Sequence, residues 1–341
     1  MTGKGSRFVP YYFLAVATAS NGQHWRGIER CRTGAKMDRP DERTVDVVIE
    51  LPFYLLQTLR LAQAIGEAGF RICVEPDDRK AVVRLKKVFG LDFKVGTAGI
   101  QRISGLYLDH LKPVTRVGSI ERQLMMPASV FRYCRARWPQ ERAFNVSFAG
   151  LLTDTRRAAI NEWLIRSGLE QIELPPDPSF LGKQLRRVAL KLGVPIENHV
   201  GTKDVRIYVS DRGRHFPLKA WNTAYYDLML SSKFVLCPSG DFKENGVVWT
   251  YRFFEGVLCG TIPVVEEPCA AYEGYRYRLM SEPLTSLQWS REDAEHNFAL
   301  AREQTVVDRD ELRAQVLGLL RAPDTELEGK VKDTVGRVFA T

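Results

Sequence analysis

The sequence predicts an alternating α/β fold built in two halves, and three observations carry that prediction. Strand-like and helix-like segments follow one another from Thr44 onward. The same grammar restarts at Ala143 after an interruption. The chain's 341 residues also exceed what one hydrophobic core usually holds.

In the first half, VDVVIE (45–50) is a β-branched run. LPFYLLQTLRLAQAIGEAG (51–69) has apolar residues at helical spacing and ends in glycine, and FRICVEP (70–76) is again strand-like. These make one βαβ unit. DDRKAVVRLKKVFGL follows as a helix that Asp77 or Asp78 can cap, and apolar runs at Phe93–Val95 and Leu106–Leu108 read as further strands. Parallel strands joined by helices require a sheet covered on both faces. Pro139 and the charges around it, from Trp138 to Arg142, break the periodicity, so the first domain is placed at 1–142.

The second domain is placed at 143–307. AFNVSFAG (143–150) is a strand ending in glycine, and Thr153 or Asp154 can cap a helix through TRRAAINEWLIRSG. A helix through FLGKQLRRVALKLG, a strand DVRIYVS (204–210), a helix near 224–232 and a strand KFVLCP (233–238) follow. The amphipathic segment DRDELRAQVLGLLR opens a last portion, 308–341, whose helices are expected to pack back on the first domain.

Bulk properties narrow the function. Hydrophobic content of 45% is that of a globular protein, and no run approaches the roughly 20 apolar residues of a spanning helix. The six cysteines show no CxxC pairing and several stand in apolar runs, as buried thiols of a reducing, cytoplasmic compartment do. Residues 1–20 imitate a signal peptide, with a basic start and Ala17-Thr18-Ala19. The Asn21-Gly22 turn signal behind Pro10 and two tyrosines favours a strand-turn-strand instead. A net charge of +8 predicts attraction to anions. The basic residues form no nucleic-acid-binding pattern, so no nucleic acid is expected as a partner. The charge would also suit peripheral association with an anionic membrane.

The segment KFVLCPSGDFKENGVVWTYRFFEGVLCGTIPVVEEP (233–268) carries the chemistry. It reads as a buried strand, a polar loop, a helix from about Trp249 to Cys259 stopped by Gly260, and a second buried strand. Loop and helix start fall at the carboxyl edge of the sheet, where open α/β sheets bind ligands. Ser239, Gly240 and Thr250 can offer donors to an anion at a helix N-terminus, and Arg252 can grip a diphosphate with two of its own. Glu255, at i+3 from Arg252, can accept from both hydroxyls of a ribose. On that reading Glu255→Gln weakens donor binding and leaves folding little changed. Tyr251 and Trp249 can stack on a base, though aromatics at helix starts more often belong to the core. Arg156 and Arg157 follow the strand and glycine at Gly150, where a phosphate contact and an exposed basic face weigh equally.

These residues resemble the carboxyl-terminal half of exostosin-like glycosyltransferases, family 47. In that family a tyrosine-containing helix precedes Ser-x-Phe-x-Leu-x-Pro-x-Gly, then Ser-x-Arg-Leu-x-Glu-Ala and Ala-Gly-x-Ile-Pro-Val. Ser232, Phe234, Leu236, Pro238 and Gly240 fall in step, as do Arg252, Glu255, Gly260, Ile262, Pro263 and Val264. The resemblance covers about 146–268 and is specific in its last third. Thr250 departs from the family's Ser, Gly256 and Cys259 from its Ala, and the loop 241–248 is this chain's own.

The resemblance implies a GT-B fold of two Rossmann-like domains facing an interdomain cleft. It further implies a nucleotide-sugar donor on the second domain, a glycan or lipid-linked glycan acceptor on the first, and inverting transfer without metal or other cofactor. The Glu-x7-Glu pattern of retaining GT-B enzymes is missing, since Val247 stands eight residues before Glu255. An inverting transfer needs a base for the acceptor hydroxyl. Glu50, at the end of VDVVIE, is the candidate, with His24, Asp109 and His110 as rivals and a pairing with a nearby arginine as the plain alternative. Another GT-B class (fucosyl-, heptosyl- or Kdo-transferase) and a non-catalytic glycan- or nucleic-acid-binding protein stay open.

Overall fold

In a computed structural model the chain builds two mainly parallel sheets and a small antiparallel one, a mixed α/β fold. The structure describes residues 44–321 apart from 52, 54–55, 80–81, 83–90, 110, 151, 172–179, 192–198, 201–203, 210–222, 241–242 and 244–245. The strand-turn-strand expected in residues 1–20, His24, Cys31, His110 and half of the loop 241–248 lie outside the described residues.

The first sheet grows from β1 (Val45–Ile49), α1 (Leu56–Glu67) and β2 (Phe70–Val74), with β2 parallel to β1 and Val45 opposite Phe70. β3 (Phe93–Val95) extends it beyond β2, and β4 (Gln101–Ile103) lies on the other side of β1, both parallel. Every residue of α1 from Leu56 to Ile65 is buried, including Gln57, Thr58, Arg60 and Gln63. A helix with polar groups sealed on all sides must find partners for them. Asp77 and Asp78 form a 3-10 turn, Pro76–Asp78, and most of the helix they are expected to cap lies outside the described residues.

The run at Leu106 belongs elsewhere than expected. β5 (Leu106–Asp109), β6 (Val114–Val117) and β7 (Ile120–Gln123) form their own antiparallel meander. Only Gly118 and Ser119 separate β6 from β7, too short a link for the crossover that parallel pairing demands. α2 (Ala128–Arg135) follows, and its first turn is capped from outside: Ser129 N–H donates to both oxygens of Glu67, at 3.3 and 3.2 Å.

The second sheet has the order β13-β12-β11-β8-β10-β9. Its members are β8 (Phe144–Gly150), β9 (His199–Val200), β10 (Val205–Val209), β11 (Ser232–Cys237), β12 (Ile262–Val265) and β13 (Arg278–Leu279). All pair in parallel except β9. Its helices are α3 (Asp154–Arg166), α4 (Phe180–Lys191), α5 (Thr223–Leu230) and α6 (Tyr251–Leu258). Thr153 caps α3, its hydroxyl accepting from Arg156 N–H.

The chain then returns. α7 (Arg291–Thr305) leads into α8 (Arg309–Leu319), which buries Leu312 and Val316 in the core of the first sheet, and β14 (Leu320–Arg321) pairs antiparallel with β4. Both sheets belong to one unit, Thr44–Thr341. The interruption at Trp138–Arg142 is firmly anchored. Trp138 Nε1 donates to Leu258 O at 2.9 Å, and Arg142 donates to the carbonyls of Leu230, Ser232 and Cys259 at 2.9, 2.7 and 3.0 Å. Burial lowers the Arg142 pKa to about 10.

Burial raises the Glu67 carboxyl above its ordinary value, although Ser129 and Arg132 pull the other way. A raised folded-state pKa gives stability that is present below the unfolded-state value, about 4.3 for glutamate, and lost as pH rises through the folded one. Urea midpoints measured from about pH 4 upward should therefore fall for the native chain relative to Glu67→Gln. A difference between the two that does not vary with pH would refute the assignment.

Candidate functional site

The carboxyl edge of the second sheet collects two helix starts, two glycines and two arginines. The register that sets Phe234 opposite Val146 and Val235 opposite Ser147 brings the ends of β8 and β11 side by side, at Gly150 and at Ser239-Gly240. α3 begins just beyond β8, and α6 begins beyond the loop that follows β11. Unpaired N–H groups and the partial positive charge of both helix starts thus face the same edge.

Arg252 reaches that edge from the first turn of α6. Its guanidinium lies 4.1 Å from the Phe148 ring centroid, and Nε donates to Ala149 O at 2.5 Å. Nη2 packs on Gly150, whose φ of +145° and missing side chain make the approach feasible: a Cβ there would collide with it. The residue is 7% exposed, Nη1 has no hydrogen-bond partner, and no described carboxylate pairs with it. Burial lowers its pKa. A buried guanidinium with an unmet donor is an expensive arrangement that an arriving anion would relieve.

Arg156 stands opposite, in the first turn of α3. Its guanidinium packs on Gly240, at φ +90°, and Nη2 donates to Ser239 O at 3.3 Å. Ser239 is nearly buried, and its N–H donates to Glu266 Oε2 at 2.8 Å. Arg157 pairs in solvent with Asp154, as an exposed basic face does. Thr250 is the N-cap of α6: its hydroxyl accepts from Phe253 N–H and its own N–H donates to the Tyr272 hydroxyl at 2.9 Å. That commits its N–H, one of the donors it was expected to offer a phosphate. Trp249 is buried against Tyr251 and Phe254 and serves the core.

Glu255 requires a correction. It is 0% exposed, and each carboxylate oxygen already has a donor: Arg60 Nη2 at 2.5 Å on Oε1 and the Tyr226 hydroxyl at 2.8 Å on Oε2. Arg60 also donates to the Tyr226 oxygen at 2.6 Å and to Gln63 Oε1 at 3.2 Å, and Gln63 Nε2 donates to Ser129 Oγ at 3.1 Å. Burial works to lower the Arg60 pKa, yet the adjoining Glu255 carboxylate leaves it raised. In this state the carboxylate has no oxygen open to a ribose. Tyr251 joins the same seam, its hydroxyl accepting from Gln57 N–H at 3.1 Å in the first turn of α1.

Arg60 was missed, although the sequence holds a signal for it. It is the only charged residue between Leu51 and Gly66, as Glu255 is the only acidic one between Trp249 and Val265. A lone cation in one apolar helix and a lone acid in another are candidates for one another.

Glu50 ends β1 in solvent, 53% exposed, and pairs with Arg102 of β4 at 2.8 Å. Asp109 accepts from Leu111 and Lys112 N–H in a local turn. Among the described residues no group of three or more His, Cys, Asp or Glu is arranged to hold a metal, and no helix is long and apolar enough to cross a membrane.

No family model and no curated protein matches the chain. Among solved structures, Anabaena HepE in complex with UDP aligns with a TM-score of 0.26 and 14% identity, over 81% of this chain and 71% of that one. At that score the function rests on the site's own chemistry.

Removing one member of a buried ion pair strands the other, at a cost of about 3–5 kcal/mol. Glu255→Gln and Arg60→Met should each lower the melting temperature by something on the order of 10 °C, reversing the expectation that Glu255→Gln leaves folding intact. The double variant Arg60→Met/Glu255→Leu should recover much of the loss. Single variants that melt within about 2 °C of the native chain would show that the pair contributes little.

Proposed function

We propose that the chain is a nucleotide-sugar-dependent glycosyltransferase of the GT-B type, with the donor's diphosphate held at the carboxyl edge of the second sheet. The observation that carries this is Arg252: a buried guanidinium, one donor unmet, beside a glycine and two helix starts. Arg156 beside Gly240 would supply the second cation. Charge developing on the leaving diphosphate is then met by arginines and helix N-termini, so transfer needs no divalent ion.

The seam between the sheets supports a two-domain reading. α1 starts at the carboxyl end of β1, and α6 starts beyond the carboxyl end of β11. The bond from Gln57 N–H to the Tyr251 hydroxyl joins these two starts. A meeting of these helix starts is what a donor on one sheet and an acceptor on the other would require. Inversion would have a base take the acceptor's proton as its oxygen attacks the anomeric carbon, and Glu50, at the carboxyl end of β1, is the candidate. The acceptor class proposed is a glycan or lipid-linked glycan. In this reading Glu255 positions α6, and through it Arg252, while Tyr251 spaces the two helix starts.

One observation favours a second reading. With Glu255 committed to Arg60 and Tyr226, the ribose contact of the resembled family is closed, as it would be in a binding protein without turnover. Slow hydrolysis of a labelled nucleotide-sugar donor would separate the enzyme from the binder.

Calorimetric titration with the common nucleoside diphosphates should find one that binds in EDTA as well as in magnesium. Arg252→Ala should weaken it by roughly tenfold to a hundredfold, the range of a hydrogen bond to a charged group, while the free nucleoside binds both proteins alike. Arg156→Ala, nearer the surface, should act in the same direction. If no diphosphate binds, or if EDTA abolishes binding and manganese restores it, the proposal fails.

A further inference from the structure

α4 presents an apolar face that no described residue covers. Phe180, Leu181, Leu185 and Val188 are 77, 70, 63 and 52% exposed. Leu181, Leu185 and Val188 follow one another at i, i+4 and i+7, and Phe180 with exposed Gln184 completes the same side. Single exposed apolar residues are ordinary on a protein surface, but four on one side of one helix are not.

The helix's own charges are of one sign: Lys183, Arg186, Arg187 and Lys191 lie in it, with no acidic residue from Pro178 to Ile196. By helical spacing the positions of Lys183 and Arg187 fall along one border of the apolar side, and that of Lys191 at its end, one turn beyond Val188. A helix of this length spans about 18 Å, well short of a bilayer's core, so it can lie along a membrane but cannot cross it.

We infer that α4 is the segment through which this protein rests on an anionic lipid surface. Phe180, Leu181, Leu185 and Val188 enter the boundary between headgroups and acyl chains, and the flanking cations meet lipid phosphates. A second copy of the same face would bring cation against cation, and an acidic protein groove would leave the four apolar side chains unexplained. The inference is independent of the donor site, since α4 contributes no residue to it.

Vesicle flotation of the full chain tests it, with phosphatidylcholine alone and phosphatidylcholine carrying phosphatidylglycerol. Binding should appear with the anionic lipid, rise with its fraction and weaken with salt. Leu185→Glu/Val188→Glu should reduce it at least roughly tenfold with an unchanged melting temperature, and Lys183→Gln/Arg187→Gln should cut the preference for anionic vesicles by roughly tenfold. Absence of binding to anionic vesicles overturns the inference, as does binding that survives the glutamates. So does light scattering that shows the native chain self-associating through this face, with Leu185→Glu/Val188→Glu monomeric and vesicles ignored by both.

Discussion

The Arg60–Glu255 ion pair joins the two halves of this molecule where water is absent. Both residues are fully buried, one in α1 beneath the first sheet and the other in α6 beneath the second. Each charge alone would be costly there, and further bonds help their attraction to offset the desolvation. Tyr226 fills the second carboxylate oxygen, Gln63 takes a second arginine N–H, and Ser129 holds Gln63. The network ties α1 to α6, and the same contact sets Gln57 N–H against the Tyr251 hydroxyl.

Three arginines show three ways to keep a guanidinium out of water. Arg60 has a carboxylate. Arg142 has carbonyls at the ends of α5 and α6, where the helix dipoles are negative, and burial lowers its pKa. Arg252 has one carbonyl, one aromatic face and an unmet Nη1. It stands three residues before Glu255, one turn away on the same helix, so the pair that fixes α6 also fixes where Arg252 points.

The elements that carry this arrangement were legible where large apolar residues mark the period. β1, α1, β2, β8, β11, α6 and β12 stand within a few residues of their expected places. The meander from Leu106 was misplaced because its strands are short and a single apolar run cannot reveal its pairing partner. α7 went unread because its buried side is Ala294, Asn297, Ala301 and Thr305, small or polar residues that leave almost no apolar stripe. Its start was nonetheless written in Ser290 and Asp293, a cap and its partner three residues on. In the site, Arg252 packs on Gly150 and Arg156 on Gly240, at the ends of two neighbouring strands. Glu255 does not join them, because a motif fixes a residue's place on its helix and says nothing of a guanidinium arriving from 195 residues away.

The return of the chain explains why α1 can bear the whole seam. Arg309 Nε donates to Glu67 O at 3.1 Å, and Arg313 Nη1 donates to Ala68 O at 3.1 Å while its guanidinium covers Phe70. Those carbonyls close α1 at its negative end, so two cations from α8 bind the helix where its dipole favours them. α1 is thereby held at its C-terminus by α8, in its middle by Glu255 and at its first turn by Tyr251. Only the last two belong to the second sheet. Any motion that parts the sheets must break Arg60–Glu255 and the Gln57–Tyr251 bond, but it can leave α8 and β14 attached to the first sheet, moving as part of it. The chain passes between the sheets a second time through α2, whose Ser129 is bonded to Gln63 and Glu67 of α1, and Asp308 begins the return by capping α8 through Asp310 and Glu311 N–H.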